Sequence, residues 1–323
     1  MSTPFSTRLA PSPTGPLHLG NARTFVLSWA LARSSGWKIL LRHEDLDAQR
    51  ATLQHCQAIE ETLRWLGLDW DAPATKQSTS LEPFRHAMKT LEEQGLIYPC
   101  VLSRNEISLA TNAPHSGDKS RAFPASLRAP LDSWHFKDET TNYRFAVEPG
   151  TTIVQDMLTG EHTFDVGADC GDFVVWTKAA VPAYQLAVVV DDFNHGITDV
   201  VRGDDLLPSS ARQQLLAHAL GQPSPRWWHV PLVFGEDSKR LAKRNGGADI
   251  ATYRKQGVPP ERILGLLAWW SGLQEQRQPL SAPSIIDLVS EESMRSLVDA
   301  EVTRECPRLF SKEDHAWLLS SDS

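Results

Sequence analysis

The stretch Arg8-Leu9-Ala10-Pro11-Ser12-Pro13-Thr14-Gly15-Pro16-Leu17-His18-Leu19-Gly20-Asn21 constrains this chain more than any other. Its first residues read as a short strand. Two X-Pro steps and Gly15 then hold the backbone extended and keep a helix from starting early. Asn21 or a nearby loop residue can cap the helix that follows. From Ala22 to Arg33 the residues are good helix formers, with Phe25 and Trp29 on an apolar stripe. Strand, punctuated loop and helix in that order present a helix N-terminus free of bulky side chains. Its free amides and the positive end of the dipole form an anion site, which points to a phosphate-bearing ligand.

The rest of the chain alternates strand and helix signals up to about Tyr98. Trp37 to Leu41 reads as a short apolar strand ending in Arg42-His43-Glu44-Asp45-Leu46-Asp47, Gln49 to Leu66 as a helix closed by Gly67, and Leu81 to Glu93 as another closed by Gly95. Such alternation predicts a parallel, doubly wound sheet that binds ligands at the carboxyl ends of its strands. Arg8 to Ser12 and Arg42 to Glu44 would both lie there. Between Pro99 and Gly171 helical periodicity fades. Asn142 to Val147 and Thr151 to Met157 look like strands, and Asn112 to Ala125 like a loop. The apolar run Tyr184 to Val190 reads as a strand buried on both faces, ending at Asp191-Asp192. Ser209 to Leu220 reads as a helix, and from Ile250 a helical tail begins, with Pro260 and Gly272 bracketing one of its helices. The expected divisions are therefore 1–98 and 172–247 for the two halves of the nucleotide fold, 99–171 for an inserted α+β subdomain, and 248–323 for a helical region.

Composition sets the class. The 323 residues suggest about two compact units. No apolar run approaches the ~18 residues of a membrane helix, and no basic leader precedes a hydrophobic stretch, so a cytoplasmic protein without a membrane partner is expected. Cys56, Cys100, Cys170 and Cys306 lie far apart, which suits reduced thiols. A formal net charge of −8 disfavours broad nonspecific nucleic-acid binding. It leaves room for a local basic surface at Lys239, Arg240, Lys243, Arg244, Arg254 and Lys255.

The second signature is Asp237-Ser238-Lys239-Arg240-Leu241-Ala242-Lys243-Arg244-Asn245-Gly246-Gly247. Four cations in six residues before a glycine pair make a flexible electropositive loop. Together the two stretches resemble the HIGH and KMSKS signatures of class I aminoacyl-tRNA synthetases in their glutamyl form. The resemblance spans roughly residues 5 to 275 and is thin in the insertion. It implies a Rossmann-type parallel sheet with an inserted α+β subdomain and a C-terminal helical region like the family's stem-contact region. It also implies ATP with Mg²⁺, with His18, Gly20, Asn21, Arg240 and Lys243 at the phosphates, and His18 and Lys243 as the catalytic pair. Ala242 stands where the family has serine, so a hydroxyl is lost while both charges remain.

By the same resemblance Arg8, Ala10, Ser12, Glu44, Tyr184 and Arg202 bind L-glutamate. Their chemistry agrees: Glu44 can pair with an ammonium, and Arg8 and Arg202 can each fork onto a carboxylate. Related enzymes bind zinc with Cys-x-Cys after a Tyr-Pro-like step. Here Tyr98-Pro99-Cys100-Val101-Leu102 keeps one cysteine, and His115, His135, His162 and Cys170 have no persuasive spacing, so no zinc or other resident metal is expected. Too little chain follows Gly247 for both a stem-contact region and a large anticodon-binding domain. That outline resembles the family of glutamyl-Q tRNA(Asp) synthetases, which activate glutamate without tRNA and esterify queuosine in the anticodon loop of tRNA(Asp). A monomer is expected. A truncated glutamyl-tRNA synthetase charging an acceptor end, and an inactive glutamate- or nucleotide-binding paralogue, remain as alternatives.

Overall fold

A computed structural model describes residues 5–103, 106–107, 122–131, 134–236, 241, 249–303 and 309–320. β1 (Ser6–Leu9), β2 (Lys38–His43) and β3 (Thr75–Lys76) pair in parallel, as do β10 (Asp199–Gly203) and β11 (Arg226–Val230). The two groups meet where Thr198 donates its amide to the Ser6 carbonyl at 3.0 Å. This is the parallel sheet expected, and Arg8, Glu44 and Arg202 all sit at or just past the carboxyl ends of their strands.

Helix α1 (Leu19–Ser34) follows β1 and is buried along most of its length. Leu19, Val26, Leu27 and Trp29 share one core with Ile263, Leu267 and Ile285 of the C-terminal helices. Each such side chain contributes about 1.5–3 kcal/mol by leaving water. Arg23, 1% exposed, ties α1 to that region through a 2.9 Å bond to Ser271. The helices after residue 250, at Ile250–Lys255, Pro260–Trp270, Ala282–Leu288, Glu291–Thr303 and Lys312–Leu319, thus share a core with the first half of the fold.

The stretch from 97 to 182 divides between two sheets. β4 (Ile97–Pro99), β5 (Tyr143–Phe145), β8 (Phe173–Thr177) and β9 (Val181–Pro182) form an antiparallel sheet. β6 (Thr152–Asp156) and β7 (Gly160–Phe164) form a hairpin whose first strand meets β11 at Asp156 and Trp227. The strands expected at 142–147 and 151–157 are therefore present. Most of the loop expected at 112–125 lies outside the described residues.

One expectation is corrected. Tyr184 to Val190 is not a strand but most of a helix, Tyr184–Asn194. A continuous apolar run reports burial on all sides, and a fully buried helix produces the same pattern as a central strand. Gln185 through Asp192 are all buried. The modest helix penalty of three valines is outweighed by packing. Among the described residues, no helix is long and apolar enough to cross a membrane.

Candidate functional site

A cavity of about 380 Å³ opens at the carboxyl ends of β1 and β10 and the start of α1. Arg8, Ala10, Ser12, His18, Gly20, Asn21, Glu44, Tyr184 and Arg202 all line it. Residues up to 194 positions apart in the chain, expected to act on one pair of substrates, thus share one space.

At one end is the start of α1. The cap is His18 rather than Asn21, and the two form a reciprocal box. His18 Nδ1 accepts the Asn21 amide at 3.3 Å, and the Asn21 side-chain oxygen accepts the His18 amide at 2.9 Å. An Nδ1 that accepts is unprotonated, so the neutral imidazole carries its proton on Nε2. A Cβ at Gly20 would come within 3.1 Å of the His18 ring, so any side chain there would have to displace the ring by a few tenths of an ångström. The basic loop is anchored at the same place. Leu241, 1% exposed, donates its amide to Val233 at 2.9 Å and lines the cavity. Asp249 bridges to His18, and Ile250 donates to the Leu17 carbonyl at 3.2 Å. Arg240 and Lys243 themselves lie outside the described residues.

The other end is a balanced set of buried charges. Asp192 accepts from Arg42 at 2.6 Å and from Arg8 at 3.3 Å. Arg42 is fully buried and reaches Glu44 at 3.4 Å, while Gln77 holds Asp191 at 2.8 Å. Burial alone would raise the Asp192 pKa, but Arg42 and Arg8 outweigh it and hold the carboxyl below the usual range. For Glu44 the balance falls the other way: burial raises its pKa despite Arg42 and Arg8. Glu44 is therefore a carboxylate short of positive partners, facing a cavity.

Arg202 is built differently. Its Nε donates to His229 at 3.1 Å, Nη1 to Gln213 at 2.9 Å, and Nη2 to Ser210 at 2.7 Å and to the Leu206 carbonyl at 3.3 Å. The guanidinium lies 4.6 Å from the Trp227 ring centre. No described carboxylate ion-pairs with it, and burial lowers its pKa to about 10. Tyr184, 40% exposed, forms an open wall of the cavity.

Gln77, Asp191, Asp192, Ser210, Gln213 and His229 were not expected to bear on the site, and Arg42 was expected at the ligand-binding end of its strand but without a role. Three of these seven left a trace. Arg42 lies two positions before Glu44, hence on the same strand face. Two adjacent acids closing an apolar run are carboxylates that burial obliges to find partners.

In the antiparallel sheet, Cys100 is buried and accepts from Arg144 Nε at 3.4 Å. Asp172 gathers Tyr98 at 2.7 Å, Arg128 at 2.7 and 2.8 Å and the Val147 amide at 2.8 Å, cross-linking the strands. Among the described residues no group of His, Cys, Asp and Glu is arranged to hold a metal ion; His115 is outside them.

Residues 4–304 match the family described as tRNA synthetases class I (E and Q), catalytic domain. The glutamyl-Q tRNA(Asp) synthetase of Symbiobacterium thermophilum is 41% identical over 292 residues, covering 86% of this chain and 90% of that protein. That of Nocardia farcinica is 43% identical over 270 residues, covering 82% and 84%. The glutamate–tRNA ligase of Aquifex aeolicus is 34% identical over 319 residues, covering 97% of this chain and 65% of the ligase. Among solved structures, a glutamate-tRNA synthetase from Elizabethkingia anophelis superposes with a TM-score of 0.77 at 23% identity, covering 98% of this chain and 70% of that one. The fold is the one expected.

Proposed function

The chain belongs to the class I tRNA synthetase (E and Q) catalytic-domain family, and from that premise we propose that it activates L-glutamate with ATP and transfers the glutamyl group to queuosine at the wobble position of tRNA(Asp). The observation that carries the activation step is the shared cavity: a helix start suited to phosphate at one end, and at the other a carboxylate short of positive partners and a guanidinium that no described carboxylate ion-pairs.

Glu44 takes the α-ammonium. Arg8, whose Nε is held by Asp192, takes the α-carboxylate with its terminal nitrogens. Arg202 takes the side-chain carboxylate, and Ala10, Ser12 and Tyr184 shape the walls. An oxygen of the α-carboxylate attacks the α-phosphorus of ATP, and the bond to pyrophosphate breaks. Such a transfer needs charge neutralisation and alignment more than acid–base chemistry. His18, Gly20 and Asn21 supply the helix start. Arg240 and Lys243, neighbours in sequence of the anchored Leu241, supply positive charge to the phosphates. Magnesium would accompany ATP as part of the substrate and would neutralise phosphate charge. In the second step a queuosine hydroxyl attacks the anhydride carbonyl, and AMP leaves.

The acceptor is supported by the relatives: those with the glutamyl-Q name are matched over most of their length, the ligases over a smaller share. A single-stranded anticodon loop can splay its bases into a pocket, which a duplex cannot. We further propose a cytoplasmic monomer that meets tRNA through a small basic footprint, so that binding is salt-sensitive. The test uses RNA-free protein with labelled glutamate and ATP, then a queuosine-containing anticodon hairpin of tRNA(Asp). Glutamate-dependent pyrophosphate exchange and label on that hairpin, but not on its guanine counterpart, are expected. Label found only on full-length tRNA, and lost on trimming its 3′ end, would establish the charging reading instead, which the match to the Aquifex ligase across nearly the whole chain favours.

A further inference from the structure

We infer that Asp156 and His229 form a positioning relay that fixes the Arg202 guanidinium for the side-chain carboxylate of the bound amino acid, an inference that rests on the glutamate reading of the cavity. The sheet register creates the juxtaposition. Arg202 on β10 pairs directly with His229 on β11, and Asp156 ends β6 beside Trp227. The direction of each hydrogen bond then follows from chemistry. A guanidinium can only donate, so the His229 Nε2 that meets Arg202 Nε at 3.1 Å must be the unprotonated nitrogen. The ring proton is therefore on Nδ1, which donates to Asp156 Oδ2 at 2.7 Å.

Asp156 is itself fixed. Its Oδ2 also accepts the His229 amide at 3.0 Å, and its Oδ1 accepts the amides of Leu158 and Thr159 at 3.0 and 2.9 Å. On the far side, Gln213 donates its amide to Gln185 at 2.9 Å, which turns its oxygen toward Arg202. Each acceptor around Arg202 is neutral, whereas Arg8 and Arg42 both spend charge on Asp192. The result is a guanidinium held in one plane with no carboxylate ion-paired to it among the described residues. A carboxylate ligand gains that charge in full and an amide does not, so the relay serves the choice of glutamate over glutamine. Protonation of His229 would set donor against donor. Burial works against it, seconded by Arg202 and His162, and outweighs the pull of Asp156, so the imidazole stays neutral.

The test compares His229→Gln with His229→Asn in the full chain. A glutamine oxygen can reach the Nε2 position and accept from Arg202; an asparagine side chain ends near Nδ1 and cannot. Pyrophosphate exchange should give a glutamate KM within about 3-fold of wild type for H229Q, and raised about 10- to 100-fold for H229N. KM for ATP and the melting temperature should match between the two variants, and glutamine should compete better in H229N. Equal losses in both variants, or a rise in both KM values, would overturn the relay as a merely structural contact. Nitrogen-15 spectra of the His229 ring, assigned with H229Q, read the relay without activity. A neutral ring protonated at Nδ1 near pH 7 is expected, and an Nε2-protonated or charged ring would overturn the inference. If the wild type neither binds glutamate in calorimetry nor exchanges pyrophosphate, the glutamate reading falls, and the ring spectrum still decides the relay.

Discussion

Two acids a few ångströms from the same arginine should respond in opposite ways to loss of charge. Asp192 is 4% exposed and is the shared counter-ion of two buried guanidiniums, with Arg42 at 2.6 Å and Arg8 at 3.3 Å. Asp192→Asn keeps the shape and removes the charge. Breaking a buried pair by neutralising one partner costs about 3–5 kcal/mol, because the other charge stays buried. At about 2–4 °C per kcal/mol for a domain of roughly this size, the melting temperature should fall by about 6–20 °C. The sign with pH follows from the depressed pKa. The Asp192 contribution is fully present above its unfolded value of 3.8 and is lost as pH falls through the lower folded value, so the gap to wild type closes only in strong acid.

Glu44 is the reverse case. Its folded pKa is raised above 4.5, so the ionised form weakens the fold as pH rises through the folded value. Glu44→Gln should therefore leave stability at neutral pH unchanged or slightly higher. Glutamate binding should nonetheless fall by about 2–5 kcal/mol, the usual loss when a buried charged partner is truncated. Denaturant titration at pH 7.5 measures the first effect and glutamate-dependent pyrophosphate exchange the second. Should E44Q destabilise the protein as much as D192N, Glu44 is a structural counter-ion to Arg42 and its assignment to the ammonium is wrong.

Three further outcomes are expected. Lys243→Ala should depress pyrophosphate exchange by about 100-fold or more, as loss of a phosphate-stabilising charge does elsewhere, with the melting temperature kept; an unchanged rate would remove Lys243 from the reaction. Arg202→Gln should raise the KM for glutamate far more than that for ATP, and equal rises would make Arg202 structural. Protein purified without chelators should contain no stoichiometric zinc by elemental analysis, since Arg144 and Asp172 already cross-link the sheet around Cys100; one tightly held zinc per chain would contradict this.

How much of this was legible in the sequence depends on whether a local rule or a distant partner decided the outcome. The start of α1 was legible because strand, proline-rich loop and helix are all local signals, and only the identity of the cap was left open. His18 takes that role because its Nδ1 reaches the Asn21 amide, a job usually given to a side-chain oxygen. The cavity residues were legible through resemblance. Their partners were not, because Arg42 to Asp192 spans 150 positions and Asp156 to His229 spans 73, and no spacing rule connects such pairs.

The helix Tyr184–Asn194 was misread for a reason that bears on the site. Its Ala183 cap makes no side-chain bond, its first turn holds no acid and its last turn no base. Asp191 and Asp192 instead stand near its C-terminus, where the helix dipole disfavours negative charge. By every local rule this is a poor helix. It persists because Gln185 through Asp192 are all buried, and because Arg42 and Arg8 outweigh the dipole at Asp192. Seven and eight residues after Tyr184, those acids lie on the same stripe as the tyrosine that forms a wall of the cavity. One helix thus sets a wall of the cavity with its first residue and fixes the guanidiniums with its last turn. Sequences that break local rules in a folded protein do so where a site requires it, and here the misread run and the two acids of the illegible charge cluster share one eleven-residue helix.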